Sequence, residues 1–120
     1  MFVTYEVPKE LVEKVYLAVE TARDEGKLRR GANEVTKLIE RAQAQLVVLA
    51  EDVTPPEILA HIPMLCDEKV VFYTFVPSKE ELGKASGLKV PTSAVTIVDI
   101  GKKKGSLAEI TKAITEARKE

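Results

Sequence analysis

Three short runs in this chain are apolar at every position or nearly so, and they constrain the fold more than anything else in it. Leu46-Val47-Val48-Leu49-Ala50, Val70-Val71-Phe72-Tyr73-Thr74-Phe75-Val76 and Ala94-Val95-Thr96-Ile97-Val98 read as strands. None alternates polar with apolar, so none has a face to leave in water, and a sheet built from them must be covered on both sides. The segments between them supply the cover. Residues 9–24 place Val12, Val15 and Val19 on one side, and residues 106–120 do the same with Leu107, Ile110, Ile114 and Ala117. A helix is expected over residues 56–61. Another is expected over residues 78–85, opened by Ser78 with Glu81 three positions on as a capping box and closed near Gly87. Leu28-Arg29-Arg30 fits a short edge strand. Strands alternating with helices define the α/β class, here a three-layer α/β/α sandwich around a mixed, mostly buried sheet of about four strands. At 120 residues, with no Pro/Gly/Ser-rich divider, the chain has the size of one domain spanning residues 1–120.

The segment Arg29-Arg30-Gly31-Ala32-Asn33-Glu34-Val35-Thr36-Lys37 opens a further helix. At about 100° per residue, Ala32, Val35, Leu38, Ile39 and Ala42 form its buried stripe. On the same wheel Arg30, Asn33, Glu34, Lys37 and Arg41 share an arc of roughly 100° on the opposite side. The plainer reading makes this a solvated face, with Arg30 paired to Glu34 at helical spacing and Asn33 serving the helix start. Against it stands the mixture: an amide, a carboxylate and an ammonium side by side offer two kinds of donor and an acceptor, a set able to read base edges. Lys37 and Arg41, four residues apart, repel unless an anion lies between them.

Charge is distributed unevenly. The net charge is only −1, yet residues 27–41 hold five cations against two anions, and Lys102-Lys103-Lys104 is an unopposed triplet. Residues 51–68 hold five acidic side chains and no Lys or Arg. If the fold gathers the two basic segments, one face can hold phosphates while the opposite face stays acidic. A single cysteine, Cys66 in an apolar setting, excludes an intramolecular disulfide and a cysteine metal cluster. His61, the single histidine, does not make a zinc site with it. No Ser-His-Asp or Cys-His set and no Gly-rich phosphate loop is present, so the expectation is a protein that is not an enzyme and uses no cofactor or metal. No charged leader or apolar span of membrane length is present, which leads to the expectation of a cytoplasmic protein with no membrane partner.

Four blocks in order resemble the archaeal kink-turn-binding ribosomal protein family, the L-seven-Ae group. They are Gly31-Ala32-Asn33-Glu34-Val35-Thr36-Lys37, Ala50-Glu51-Asp52-Val53-Thr54-Pro55-Pro56-Glu57, Val76-Pro77-Ser78-Lys79-Glu80-Glu81-Leu82-Gly83 and Gly87-Leu88-Lys89-Val90-Pro91, and the resemblance spans nearly the whole chain. It implies an RNA-binding protein of the large ribosomal subunit that also serves guide ribonucleoproteins, recognising a sharp RNA bend with tandem sheared G·A pairs. In a sheared pair guanine O6 and N7 remain free acceptors and N1–H a free donor. Asn33 and Lys37 suit the acceptors, and Glu34 suits the N1–H. By the resemblance Gly31 and Thr36 approach the RNA backbone, Arg30, Arg41 and Lys79 lie near the RNA, and the Leu88-Lys89-Val90-Pro91 loop covers an extruded nucleotide. Implied partners are kink-turns of rRNA and of box C/D and H/ACA guide RNAs, ribonuclease P RNA, and a scaffold protein with a methyltransferase or pseudouridine synthase. The free protein is expected to be a monomer.

The chain departs from the family pattern at two places: Ala42 stands where glycine is expected at the end of the second helix, and Val70-Val71 replaces a more polar pair. Two other readings remain at this point. Asp52 follows a buried strand as a phosphoacceptor does in receiver domains, although the acidic pair that would hold Mg²⁺ is missing. A pure protein-interaction module is the other, with the acidic segment meeting a basic partner.

Overall fold

The computed structural model describes residues 5–118 of the chain. Its elements run α1 (Lys9–Glu25), β1 (Lys27–Arg30), α2 (Ala32–Glu40), β2 (Leu46–Ala50), a 3₁₀ turn (Pro56–Ile58), α3 (His61–Lys69), β3 (Phe72–Val76), α4 (Lys79–Ala85), β4 (Ala94–Asp99) and α5 (Lys104–Arg118). The four strands form one mixed sheet in the order β1-β4-β2-β3. β2 and β3 are parallel, while β4 runs antiparallel to both β1 and β2.

Every residue of β2 is buried. This follows from its place inside the sheet with helices over both faces. α1 packs with α4 and α5 on one face, and α2 packs with α3 on the other. The core takes Leu11, Val15, Val19 and Ala22 from α1, Val35 and Ile39 from α2, and Ile110 and Ile114 from α5. The expected three-layer α/β/α sandwich is the observed fold. Among the described residues no helix is long and apolar enough to cross a membrane.

Three expected boundaries are corrected. The helix placed over residues 56–61 is only a 3₁₀ turn over Pro56–Ile58, and the true helix, α3, begins at His61 and runs to Lys69. Pro63 sits in its first turn, where a missing N–H costs nothing because those groups have no partner inside the helix. The strand expected from Val70 begins at Phe72. Val70 instead closes α3 in the left-handed conformation, φ 57°, and is 89% exposed. The stripe of α2 stops short of Ala42, because the helix ends at Glu40 and Ala42 lies beyond its cap, exposed, with φ 58°. Ala42 and Val70 are the two non-glycine residues with positive φ among those described. Both fall at the places where the sequence departs from the pattern it otherwise resembles.

Candidate functional site

The strand directions bring one set of ends to a common rim. β1 and β4 are antiparallel and β2 and β3 parallel, so the end of β1, the start of β4, the end of β2 and the end of β3 lie side by side. Backbone bonds fasten this rim: Gly31 N donates to Ala94 O at 2.8 Å, Ala50 N to Ser93 O at 2.9 Å and Glu51 N to Val76 O at 2.8 Å. α2 and α4 both begin there, and the loop before β4 lies beside them.

Gly31 is the hinge into α2. Its φ of 96° is one that L side chains rarely adopt, although nothing stands within 4 Å of where a Cβ would go, so backbone conformation and not space requires glycine. Gly31 also occupies the N-cap position, and no side-chain oxygen accepts from the helix's first N–H groups. α2 therefore opens with free donors and the positive end of its dipole. Over the next two turns Asn33, Glu34 and Lys37 are exposed, while Val35, Leu38 and Ile39 are buried. Asn33 and Lys37 are four residues apart and so share one side of the helix.

Thr36 is half-buried. Its hydroxyl donates to Ala32 O at 2.8 Å and lies 3.0 Å from His61 Nε2. A hydroxyl has one proton to give, so the His61 ring N–H is the donor to Thr36. This fixes the start of α3 against α2. Nothing in the spacing of residues 36 and 61 foretold it.

Arg30 lies where the edge-strand reading puts it, in β1, and so does not share the face of α2, and among the described residues it forms no ion pair with Glu34. Its Nε donates to Ser86 O at 2.8 Å and its Nη2 donates to the same carbonyl. From α1, Arg23 Nη1 donates to Ala85 O at 3.2 Å and reaches Lys84 O at 3.4 Å. Two guanidinium groups thus hold the last carbonyls of α4, groups that no intrahelical donor can satisfy. The Asp24 carboxylate beside Arg23 raises that guanidinium's pKa, and Arg23 in turn holds the Asp24 carboxyl below its usual range. Sequence reasoning missed Arg23.

The loop that follows α4 is placed by contact with α4 itself. Leu88 N donates to Gly83 O at 2.9 Å. The Gly83 Cα faces the Val90 carbonyl so closely that a Cβ would collide with backbone. Leu88 is half-buried, while Lys89, Val90 and Pro91 are exposed, Val90 at 62%. With Glu80 and Lys84 they line an open hollow of about 250 Å³. Thr92 N donates to Lys79 O at 3.1 Å, which ties the loop's far end to the start of α4.

Asp52 and Lys79 meet through backbone: Lys79 N donates to Asp52 Oδ1 at 2.8 Å, and Glu81 N donates to the Ser78 hydroxyl at 3.2 Å. Half of the expected capping box is present, since Ser78 accepts from Glu81 N while the Glu81 carboxylate lies 3.9 Å from Lys84 Nζ, and Asp52 closes the helix start from a neighbouring loop. Its carboxylate is engaged in that bond, as a turn or helix-start residue would be. The structure brings Arg30, Gly31, Asn33, Glu34, Thr36, Lys37, Lys79 and residues 88–91 to one rim. Arg41 caps the other end of the nine-residue α2, about 13 Å along the axis from Gly31 and one turn beyond Lys37, whose carbonyl accepts from Arg41 N at 3.0 Å. The Lys102-Lys104 run does not join the rim either, because it follows the opposite end of β4.

Away from the rim, Cys66 is fully buried, and burial pushes its thiol up to about 12. It behaves as the small apolar residue its neighbours suggested. Among the described residues no group of three or more His, Cys, Asp or Glu side chains could hold a metal ion.

An α/β/α sandwich with a mixed four-stranded sheet and a rim of one open helix start, one capped helix start and an apolar-tipped loop defines a class of binding domain. The chain belongs to the ribosomal protein L7Ae/L30e/S12e/Gadd45 family, whose pattern it matches over residues 13–106. Among solved structures it is similar to the Giardia lamblia 15.5kD RNA binding protein, with 33% sequence identity, 92% of each chain covered and a TM-score of 0.88.

Proposed function

We propose that this protein binds RNA without catalysing a reaction, and that its target is the kink-turn, a sharp bend built on tandem sheared G·A pairs. One observation carries this reading: the uncapped start of α2 exposes Asn33, Glu34 and Lys37 beside the apolar-tipped loop of residues 88–91, and Arg30 links the two elements. Family membership and the likeness to an RNA-binding protein support it.

Asn33 and Lys37 donate to the free O6 and N7 of the sheared guanines, and Glu34 accepts N1–H. The free N–H groups at the start of α2 and the backbone of Gly31 face phosphate, with Thr36 behind them. Val90 and Pro91 cover a base drawn out of the stack, which needs an apolar surface in water. Lys79 and Lys89 add charge at the edges. Arg30 acts as a positioning residue, because its guanidinium is already engaged with Ser86.

Free kink-turns exchange between open and bent forms, and a ligand that binds only the bent form shifts that balance by its difference in affinity. The protein therefore folds RNA without consuming energy. The same site serves kink-turns of rRNA in the large ribosomal subunit, of box C/D and H/ACA guide RNAs, and of ribonuclease P RNA, from a cytoplasmic monomer. Ile58, Met64, Val70 and Phe72, which lie around α3 and the start of β3, remain exposed. They support a protein partner such as the guide-particle scaffold. The test is a fluorescence titration against a kink-turn and against the same RNA with its G·A pairs replaced by Watson–Crick pairs. The expected result is a loss of at least about thirtyfold, as two lost base contacts at about 1 kcal/mol or more each require. Equal affinity for the two RNAs contradicts the reading.

A further inference from the structure

The end of the sheet opposite the rim carries a second set of cations that the proposed site does not use. Gly26, between α1 and β1, packs so closely on the backbone of Asp99 and Ile100 that no Cβ fits, and Lys27 pairs with Asp99 across the β1–β4 ladder. The α1–β1 turn is thereby fixed against the β4–α5 turn, which carries Lys102, Lys103 and Lys104. The α2–β2 turn joins them, since Gln45 N donates to Ile97 O at 2.8 Å and Ile100 N donates to Gln45 Oε1 at 3.2 Å.

Six cations converge on this end: Lys27, Arg29, Arg41, Lys102, Lys103 and Lys104. All are exposed, and none forms an ion pair among the described residues. The facing acids are fewer. Asp99 Oδ1 accepts from Gly101 N at 2.9 Å, Asp24 is paired with Arg23 at 2.8 Å, Glu109, which shares a hollow with Lys103, is paired with Lys14 at 3.3 Å, and Glu25 and Glu40 remain. Between Lys27, Arg29 and the α2–β2 turn lies an open hollow of about 500 Å³ with Leu38, Ala44 and Val98 among its lining. A patch this basic in a protein of net charge −1 is a local arrangement and not a general excess.

We propose that this end is a second RNA contact, taking the phosphate backbone of a duplex segment without regard to its sequence. The proposal rests on the rim reading for its choice of polyanion. β1 and α2 run from one end to the other, so the two contacts lie only about 13 Å apart along the α2 axis. The donor set is also different in kind. The rim mixes an amide, a carboxylate and an amine, which discriminate among base edges, while at this end the cations outnumber the acids, and cations attract phosphates equally on any sequence.

The experiment compares three probes on the full chain: an RNA duplex of about twenty base pairs without a kink-turn, a kink-turn RNA with stems cut to a few base pairs, and phosphatidylserine vesicles. The variant carries Lys27→Gln, Lys102→Gln, Lys103→Gln and Lys104→Gln, and its companion carries Arg at the same four positions. The Gln variant is expected to bind the duplex about tenfold more weakly, with a log K against log salt slope reduced by about 3. It should bind the short kink-turn within about twofold of the parent protein, and the Arg companion should match the parent on every probe. Unchanged duplex binding, an equal loss on both RNAs, a loss in the Arg companion, or a loss confined to the vesicles would each overturn the proposal. Failure of the parent to prefer the kink-turn over its G·A-disrupted form sinks the rim reading alone, since the duplex measurement is scored separately.

Discussion

α4 begins with its donors engaged: Ser78 accepts from Glu81 N, and Asp52 reaches across from another loop to accept from Lys79 N. α2 begins at the same rim with none of this, because Gly31 in the N-cap position has no side chain to offer. Ser, Thr, Asp or Asn at a helix start is worth about 1 kcal/mol over alanine and only a few tenths of a kcal/mol over glycine, so leaving α2 uncapped at Gly31 costs little. The fold supplies such closure at α4, whose role is to hold the 88–91 loop. It omits it at α2, where free N–H groups and the exposed trio Asn33, Glu34 and Lys37 lie together. The difference teaches that the two helix starts at one rim are built differently: α4 has its first N–H groups closed by side chains, and α2 leaves its own open beside a polar mixture, which is the side the proposed function gives to RNA.

Substitution at the open helix gives the largest effect. Asn33→Ala, Glu34→Gln and Lys37→Ala should each weaken binding to a kink-turn by about 1–3 kcal/mol, roughly tenfold to a hundredfold, with little change in the thermal midpoint. A loss of stability matching the loss of affinity would mean that these side chains are structural. At the closed helix the pattern should invert. Ser78→Ala is expected to cost about 1 kcal/mol in urea unfolding and to leave RNA affinity within about twofold once the protein is folded. An affinity loss as large as that of Asn33→Ala would place RNA at both helix starts and erase the contrast.

The smallest effect concerns how α2 ends. Ala42 holds φ 58° with an exposed side chain, so Ala42→Gly should relieve a left-handed alanine at about 1–2 kcal/mol, offset by the greater freedom of the unfolded glycine. The net gain expected is under about 1 kcal/mol by urea unfolding, with RNA binding unchanged. A decrease in stability would show that the left-handed turn is held by something the alanine side chain supplies.

Much of this architecture was legible because local and global preferences agree in the elements concerned. β2 and β4 are continuous apolar runs, α4 carries its Ser78 N-cap, and the stripe of Val35, Leu38 and Ile39 has one period. Where the reading failed, a longer-range contact decided. Pro55-Pro56 drew the helix expectation too early, while α3 starts at His61 and tolerates Pro63 in its first turn. Val70 has strong strand character, yet it closes a helix, and only the packing of α3 against β3 explains that. A helical wheel placed Arg30 with Asn33, but the chain is still a strand at that residue and the side chain crosses to Ser86. The roles of Arg23, Gly83 and His61 rest on contacts between distant segments that no spacing rule encodes. Whether the two basic segments gather is not readable from the sequence. The antiparallel run of β1 against β4 brings Lys27 and Lys102-Lys104 together, at the end away from Gly31.

The claim that α2 reads guanine edges is tested most directly by a double-mutant cycle between Lys37→Ala and a kink-turn in which 7-deazaguanine replaces the sheared guanines, removing the N7 acceptor alone. The account predicts that the base change weakens the parent protein about tenfold and the Lys37→Ala variant hardly at all, a coupling of about 1.4 kcal/mol. An equal weakening of both proteins would contradict it.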